Sequence, residues 1–321
     1  MFAIRGVAVS FSAFFIFYTS LSLVVCLVWR RVRNYGQQRS ARHCADLLFL
    51  LRIAPFLAAT AVTLTLAAPS FLLFEPRAVD EPMGVLPRVC GFCGMTIILG
   101  GARNATVALM KASRAVARWS SESRMIGHSP IKSGKSVSVL RTAAIAPPMT
   151  AAGILRPRVW LSGAAEFVLN ESELQGAIRH EAVHLRRRDN LRKLFLCLTA
   201  FPGMAGLERA WREATEMAAD DAAVSSASEA LDLAAALIKL SRLIPLELPV
   251  ELTTALVHSP AESVDARVKR LIGWTERRQV PASRYWYACT LCATATVIAT
   301  FAVSYTELLL GAHTATEWLV R

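Results

Sequence analysis

From Val7 to Trp29 the chain reads VAVSFSAFFIFYTSLSLVVCLVW, with no charged residue. A helix needs about 20 apolar residues to cross the hydrocarbon of a bilayer, so this segment is predicted to span one. A secretory signal would carry an apolar region of only about 7–15 residues ending at a small-residue cleavage site; this run is longer and ends in Trp29-Arg30-Arg31. A second run, Leu47 to Phe74, is broken by Arg52, which lies near one end and can snorkel, and it contains Pro55 and Pro69, tolerable in a spanning helix. A third, Met83 to Met110, is apolar apart from Arg88 and the pair Arg103-Asn104 and is expected to continue as a basic helix through Lys111, Arg114 and Arg118. A fourth, Tyr285 to Leu310, opens with Tyr285-Trp286-Tyr287, aromatics suited to the membrane interface, and leaves only a short tail. The composition agrees: 54% of residues are hydrophobic and 19% charged, against roughly 25% charged in soluble domains.

Charge sets the orientation. The first connection holds Arg30, Arg31, Arg33, Arg39 and Arg42 against Asp46 alone, while the second holds Glu75, Asp80 and Glu81 against Arg77 and Arg88. The first is therefore expected inside the cell and the second outside, which puts both termini outside. The predicted organisation is three transmembrane helices in 1–110 (about 7–29, 47–74 and 83–110), a cytoplasmic domain at 111–284, and a fourth transmembrane helix with a short external tail at 285–321. The net charge of +12 resides largely in clusters flanking the spans, which anionic lipid explains; the lipid bilayer is thus an expected partner and direct nucleic-acid binding is not. Seven cysteines, an odd number scattered through apolar runs, do not make a secreted disulfide framework.

Within the cytoplasmic stretch lies His180-Glu181-Ala182-Val183-His184. Asn170 with Glu173 three residues later fits an N-cap and capping box, and Leu174, Ala177, Ile178 and Val183 give an apolar stripe. On such a helix two histidines four apart share a face, so both imidazoles can reach one Zn²⁺ while Glu181 can contact a water on it. A zinc hydrolase site needs a third protein ligand. Beyond a turn near Pro202-Gly203, a second helical pattern, Leu207 to Val224, clusters Glu213, Glu216, Asp220 and Asp221. Glu216 and Asp220 share a face, so one can ligate while the other fixes a ligand histidine from behind; Glu213 is a competing ligand.

HEAVHLRRRDNL followed by EMAAD resembles the membrane-bound gluzincin metalloproteases of the BlaR/MecR type, and GILRPRVWLS (Gly153 to Ser162) is similar to the strand that precedes their zinc helix. The resemblance covers most of the chain. It implies an α+β, helix-dominated membrane protein with four transmembrane helices and a cytoplasmic gluzincin-like zinc metalloprotease domain between the third and fourth. It also implies one Zn²⁺ per chain held by His180, His184 and Glu216, with Glu181 as catalytic carboxylate and Asp220 as the partner of a ligand. The implied task is signal-dependent cleavage of a cytoplasmic protein, a transcriptional repressor or the protease itself. The alternatives are a quality-control or processing protease of the HtpX kind and a non-proteolytic signalling scaffold. The chain stops soon after the fourth span, so the external penicillin-binding sensor of those relatives, and acylation by beta-lactams, are not expected.

A further segment, His258-Ser259-Pro260 with Arg267-Val268 and Leu271, is similar to the region after the zinc site in HtpX and CAAX-prenyl type gluzincins. By that analogy His258 or Arg267 stabilises the tetrahedral oxyanion; the competing reading makes them a loop histidine and a surface arginine. A small antiparallel sheet is expected, with strands at Val137 to Arg141 and Arg158 to Leu161. The second is expected at the sheet edge, pairing with an extended substrate.

Overall fold

A computed structural model of the chain describes residues 2–32, 40–76, 83–121, 123–130, 136–142, 147–154, 156–243, 254–255, 261–274, 300–301 and 303–320. Its helices, in chain order, are α1 (Phe2–Val32), α2 (Ala41–Val62), α3 (Ala68–Phe74), α4 (Val85–Ser121), α5 (Gly163–Val168), α6 (Glu171–Arg187), α7 (Asp189–Leu198), α8 (Ala205–Ala223), α9 (Ala227–Ser241), α10 (Ala261–Ile272) and α11 (Tyr305–Val320). The strands are β1 (Ser123–Pro130), β2 (Ser136–Thr142), β3 (Met149–Ala152), β4 (Arg158–Ser162) and β5 (Thr254–Ala255). The chain divides into two compact units, one of residues 1–33, 51–100 and 278–321, the other of 34–50 and 101–277.

The first unit is helical. Among the described residues three stretches, Phe2–Arg31, Ala41–Phe74 and Val85–Ser121, are long and apolar enough to cross a membrane, and Leu23, Leu27, Leu57 and Leu64 point outward. Gly91 and Gly94 let α4 meet α1 closely: a Cβ on Gly91 would sit 2.8 Å from the Ala8 carbonyl, and one on Gly94 would collide with that of Phe11. The second stretch joins α2 to α3 through a π-helical turn, Thr63–Ala67. Pro69 has no N–H for the carbonyl four residues earlier, and the Tyr305 hydroxyl donates to that carbonyl, Thr65 O, at 3.0 Å. The expected fourth span lies mostly outside the described residues. Its described end continues as helix beyond Leu310, through Val320, instead of stopping in a short unfolded tail; no proline interrupts it, and His313 packs on Phe74, ring centroids 5.5 Å apart.

The second unit holds a five-stranded sheet in the order β1-β2-β4-β3-β5. Two expectations are corrected here. The sheet is mixed, because β2 and β4 run parallel. And β4 is interior, flanked by β2 and by antiparallel β3. Val159, Trp160 and Leu161 are buried in succession, the continuous apolar run of a strand covered on both faces. Trp119 at the end of α4 packs on Trp160, centroids 5.9 Å apart. The main core joins Val159 and Leu161 of the sheet to Ala177 and Ile178 of α6, Leu233 and Leu237 of α9, and Val264, Val268 and Leu271 of α10.

Candidate metal centre

Helix α6 starts as its sequence dictates. The Asn170 side chain accepts from the Glu173 N–H at 2.8 Å, and Glu173 Oε2 accepts from the Asn170 N–H at 2.9 Å, so two of the free donors at a helix start are satisfied reciprocally. The helix buries Ala177 and Ile178 in the core and presents His180, Glu181 and His184, each at most 1% exposed, on an adjoining face. It ends at Arg188, whose left-handed backbone (φ 54°, ψ 42°) turns the chain at once into α7.

Glu216 and Asp220, one turn apart on α8, face these histidines. His180 Nε2 and His184 Nε2 are 3.1 Å apart, and they lie 3.5 and 3.6 Å from the two oxygens of Glu216. Donors at zinc-like bond lengths of about 2.0–2.2 Å in a tetrahedron sit about 3.3 Å from one another, so this triangle fits a single ion; among the described residues these three form the group able to hold a metal. The donor chemistry also fits. Each imidazole turns Nε2 to the triangle and has a carboxylate at Nδ1: His184 donates to Asp189 Oδ2 at 2.7 Å, and His180 Nδ1 lies 2.9 Å from Asp220 Oδ1. Such partners fix tautomer and ring orientation. Glu216 is the member with some exposure, 14% of its side chain, whereas Glu213 is exposed on α8.

Arg267 comes from α10, 2% exposed. Its Nε and Nη2 donate to Asp220 at 2.8 and 2.7 Å, and its Nη1 lies 3.1 Å from Glu216 Oε2. Burial alone would raise both carboxyls, but His184, Arg267 and His180 hold Glu216 down at about 2, and Arg267 with His180 holds Asp220 well below the usual carboxylate range. For His180, burial works against the charged form, yet Asp220 and Glu216 outweigh it and push the imidazole up to about 9. Glu181 goes the other way: burial raises it to about 7 despite the two histidines, Glu216 adds to the rise, and the Ala151 backbone hydrogen bond works against it.

The structure thus brings together His180, Glu181, His184, Glu216, Asp220 and Arg267. His258 lies outside the described residues. Two contributors escape the sequence reading: Asp189, fully buried behind His184, and Asn190, whose amide donates to Ala151 O at 3.1 Å and so ties α7 to β3. The histidines and Glu216, with a glutamate between the histidines, occur in a chain whose three apolar helices can cross a bilayer, and that combination defines a membrane metallopeptidase. Residues 89–271, more than half of the chain, match the family described as BlaR1 peptidase M56, and the chain belongs to that family. No curated protein matches the chain.

Proposed function

We propose that the protein is an integral membrane zinc metalloendopeptidase that cuts a cytoplasmic protein under the control of a signal, with a repressor or the protease itself as substrate. The observation that carries this is the triangle of His180, His184 and Glu216 with a carboxylate behind each imidazole. Zinc, when bound by those three residues, supplies a Lewis acid for the scissile carbonyl and the attacking water. Glu181 takes the water proton at its carboxylate and delivers it to the departing amine; in the metal-free site burial raises this carboxyl to about 7. Asp220 and Asp189 sit at Nδ1 of the two imidazoles and would orient each ring so that Nε2 meets the metal once zinc displaces its proton. Arg267 enters through Asp220 and Glu216, as the cation that fixes both carboxylates. The positive-inside bias of the connections supports a cytoplasmic place for this unit and an external one for both termini.

The test is a mass-spectrometric map of new protein termini in cells expressing wild type or Glu181→Gln at equal abundance. Loss of the general base is expected to slow cleavage about 10²–10⁴-fold, so a few cytoplasmic termini should vanish in the variant. Identical maps from cells in which the wild type carries zinc would sink constitutive proteolysis and leave a latent protease or a scaffold; many membrane-protein termini would move the reading to quality control.

A further inference from the structure

Asp46 is the lone acid of the basic first connection and its neighbourhood, and it is held twice. Arg192 Nη1 and Arg187 Nη2 both donate to its Oδ1, at 2.7 and 3.2 Å. Three residues further along α2, Phe49 lies under the Arg192 guanidinium at 5.2 Å and packs against Trp211 of α8 at 6.1 Å. The first turns of α2 therefore touch both helix assemblies that carry the metal-centre residues, α6 with α7 and α8. Arg187 also faces the centre: its Nε lies 3.6 Å from Asp189 Oδ1, while Asp189 Oδ2 holds His184 Nδ1. Asp189 is fully buried and the Arg187 side chain is 11% exposed, so water screens these charges weakly. Asp46, Arg187, Asp189 and His184 form one alternating series of charged groups and an imidazole.

We propose that Asp46 is a positioning residue for the metal centre. It fixes the Arg187 guanidinium between two carboxylates, Arg187 thereby fixes Asp189, and Asp189 fixes the ring of His184. Helix α2 belongs to the apolar stretch Ala41–Phe74, so a shift or rotation of that helix would be felt first at Asp46 and, through three contacts, at a ligand. This deepens the reading of His180, His184 and Glu216 as zinc ligands and rests on it.

The experiment titrates the full chain in detergent with Zn²⁺ against a chromophoric chelator and records the visible spectrum of the Co²⁺-loaded protein. Removing a partner that touches a ligand histidine typically costs 10–100-fold in metal affinity, the range expected of Asp189→Asn. Asp46→Asn, two contacts further out and partly exposed, is expected to cost about 3–10-fold by the same rule, with a shifted Co²⁺ band that Asp46→Glu restores. The double variant Asp46→Asn/Arg187→Gln should bind no more weakly than Arg187→Gln alone. The proposal is overturned if Asp46→Asn lowers thermal stability but leaves zinc affinity within about twofold of wild type, or if the two single losses add. His184→Ala serves as reference. Wild type that binds zinc no better than this variant would overturn the metal-centre reading, and this inference with it.

Discussion

Replacing Arg267 by methionine probes the electrostatic frame of the site. Methionine keeps most of the aliphatic stem but supplies no donor, so Asp220 loses two hydrogen bonds of 2.8 and 2.7 Å and Glu216 its cation at 3.1 Å. The arginine is 2% exposed and Asp220 1%, so water cannot take over the lost contacts. Breaking a buried ion pair from one side costs about 3–5 kcal/mol, a large part of the roughly 5–15 kcal/mol that stabilises a domain. Denaturant unfolding of the metal-free full chain in detergent, followed by tryptophan fluorescence, should show that loss. Zinc in excess should restore part of it, because a bound dication takes over the neutralisation of Glu216. Arg267→Lys keeps the charge without the planar fork and should fall between wild type and Arg267→Met. Asp220→Asn/Arg267→Met should be less impaired than Arg267→Met alone, because one uncompensated carboxylate has gone with its partner. A metal-free Arg267→Met within about 1 kcal/mol of wild type would refute the reasoning, since that is the value of a solvent-exposed pair.

Three other outcomes are expected. Glu229 is held at about 2 against an ordinary 4.5, because hydrogen bonds from Ser225 and Arg179 outweigh the opposing effect of burial; its contribution, on the order of 1 kcal/mol, is present above pH 4.5 and is lost as pH falls toward 2. Glu229→Gln should remove that limb of the pH–stability curve, and an unchanged curve would discard the assignment. Arg188→Gly at the left-handed turn should raise stability by about 0.5–1 kcal/mol in the same unfolding assay; a loss would show that the Arg188 side chain matters more than its backbone. Asn170→Ala should cost about 1 kcal/mol by removing the cap of α6, while Asn170→Asp should be nearly neutral, a contrast readable in thermal melts.

What the sequence made legible was local or periodic. The α6 start needed only Asn170 and Glu173, and the stretches that became α1, α2 with α3, and α4 needed only apolar length. Asp189 shows where that kind of reading ends. Five residues beyond His184 along an unbroken helix, it would lie about 140° around the axis from the histidine; the left-handed Arg188 brings it back. No pattern of apolar residues announces such a turn. The interior place of β4 was hidden for another reason: RVWL shows strand content, but neighbours in a sheet are set by pairing over long sequence separations. Arg267 did carry a signal. It shares a face of α10 with Val264, Val268 and Leu271, and an arginine within an apolar stripe should be expected to meet an anion. Resemblance supplied the choice of Glu216 over Glu213, which spacing left open.

The π turn at Thr63–Ala67 has a consequence for what the second apolar helix shows to its surroundings. Such a turn spends about one residue more than an α turn, and one residue corresponds to about 100° of rotation. Everything after it is therefore dialled round relative to an uninterrupted helix. With that offset Ser70 and Phe71 are buried, Phe71 against Phe2 at 5.0 Å, while Leu72 and Leu73 are 58% and 67% exposed. Deleting a single residue from the turn would return it to α geometry and leave Phe71 in its berth beneath Gly6, whereas straightening the turn with no deletion would bring Ser70 there instead. The turn works as a vernier, setting which side chains this helix offers to lipid and which to its own bundle.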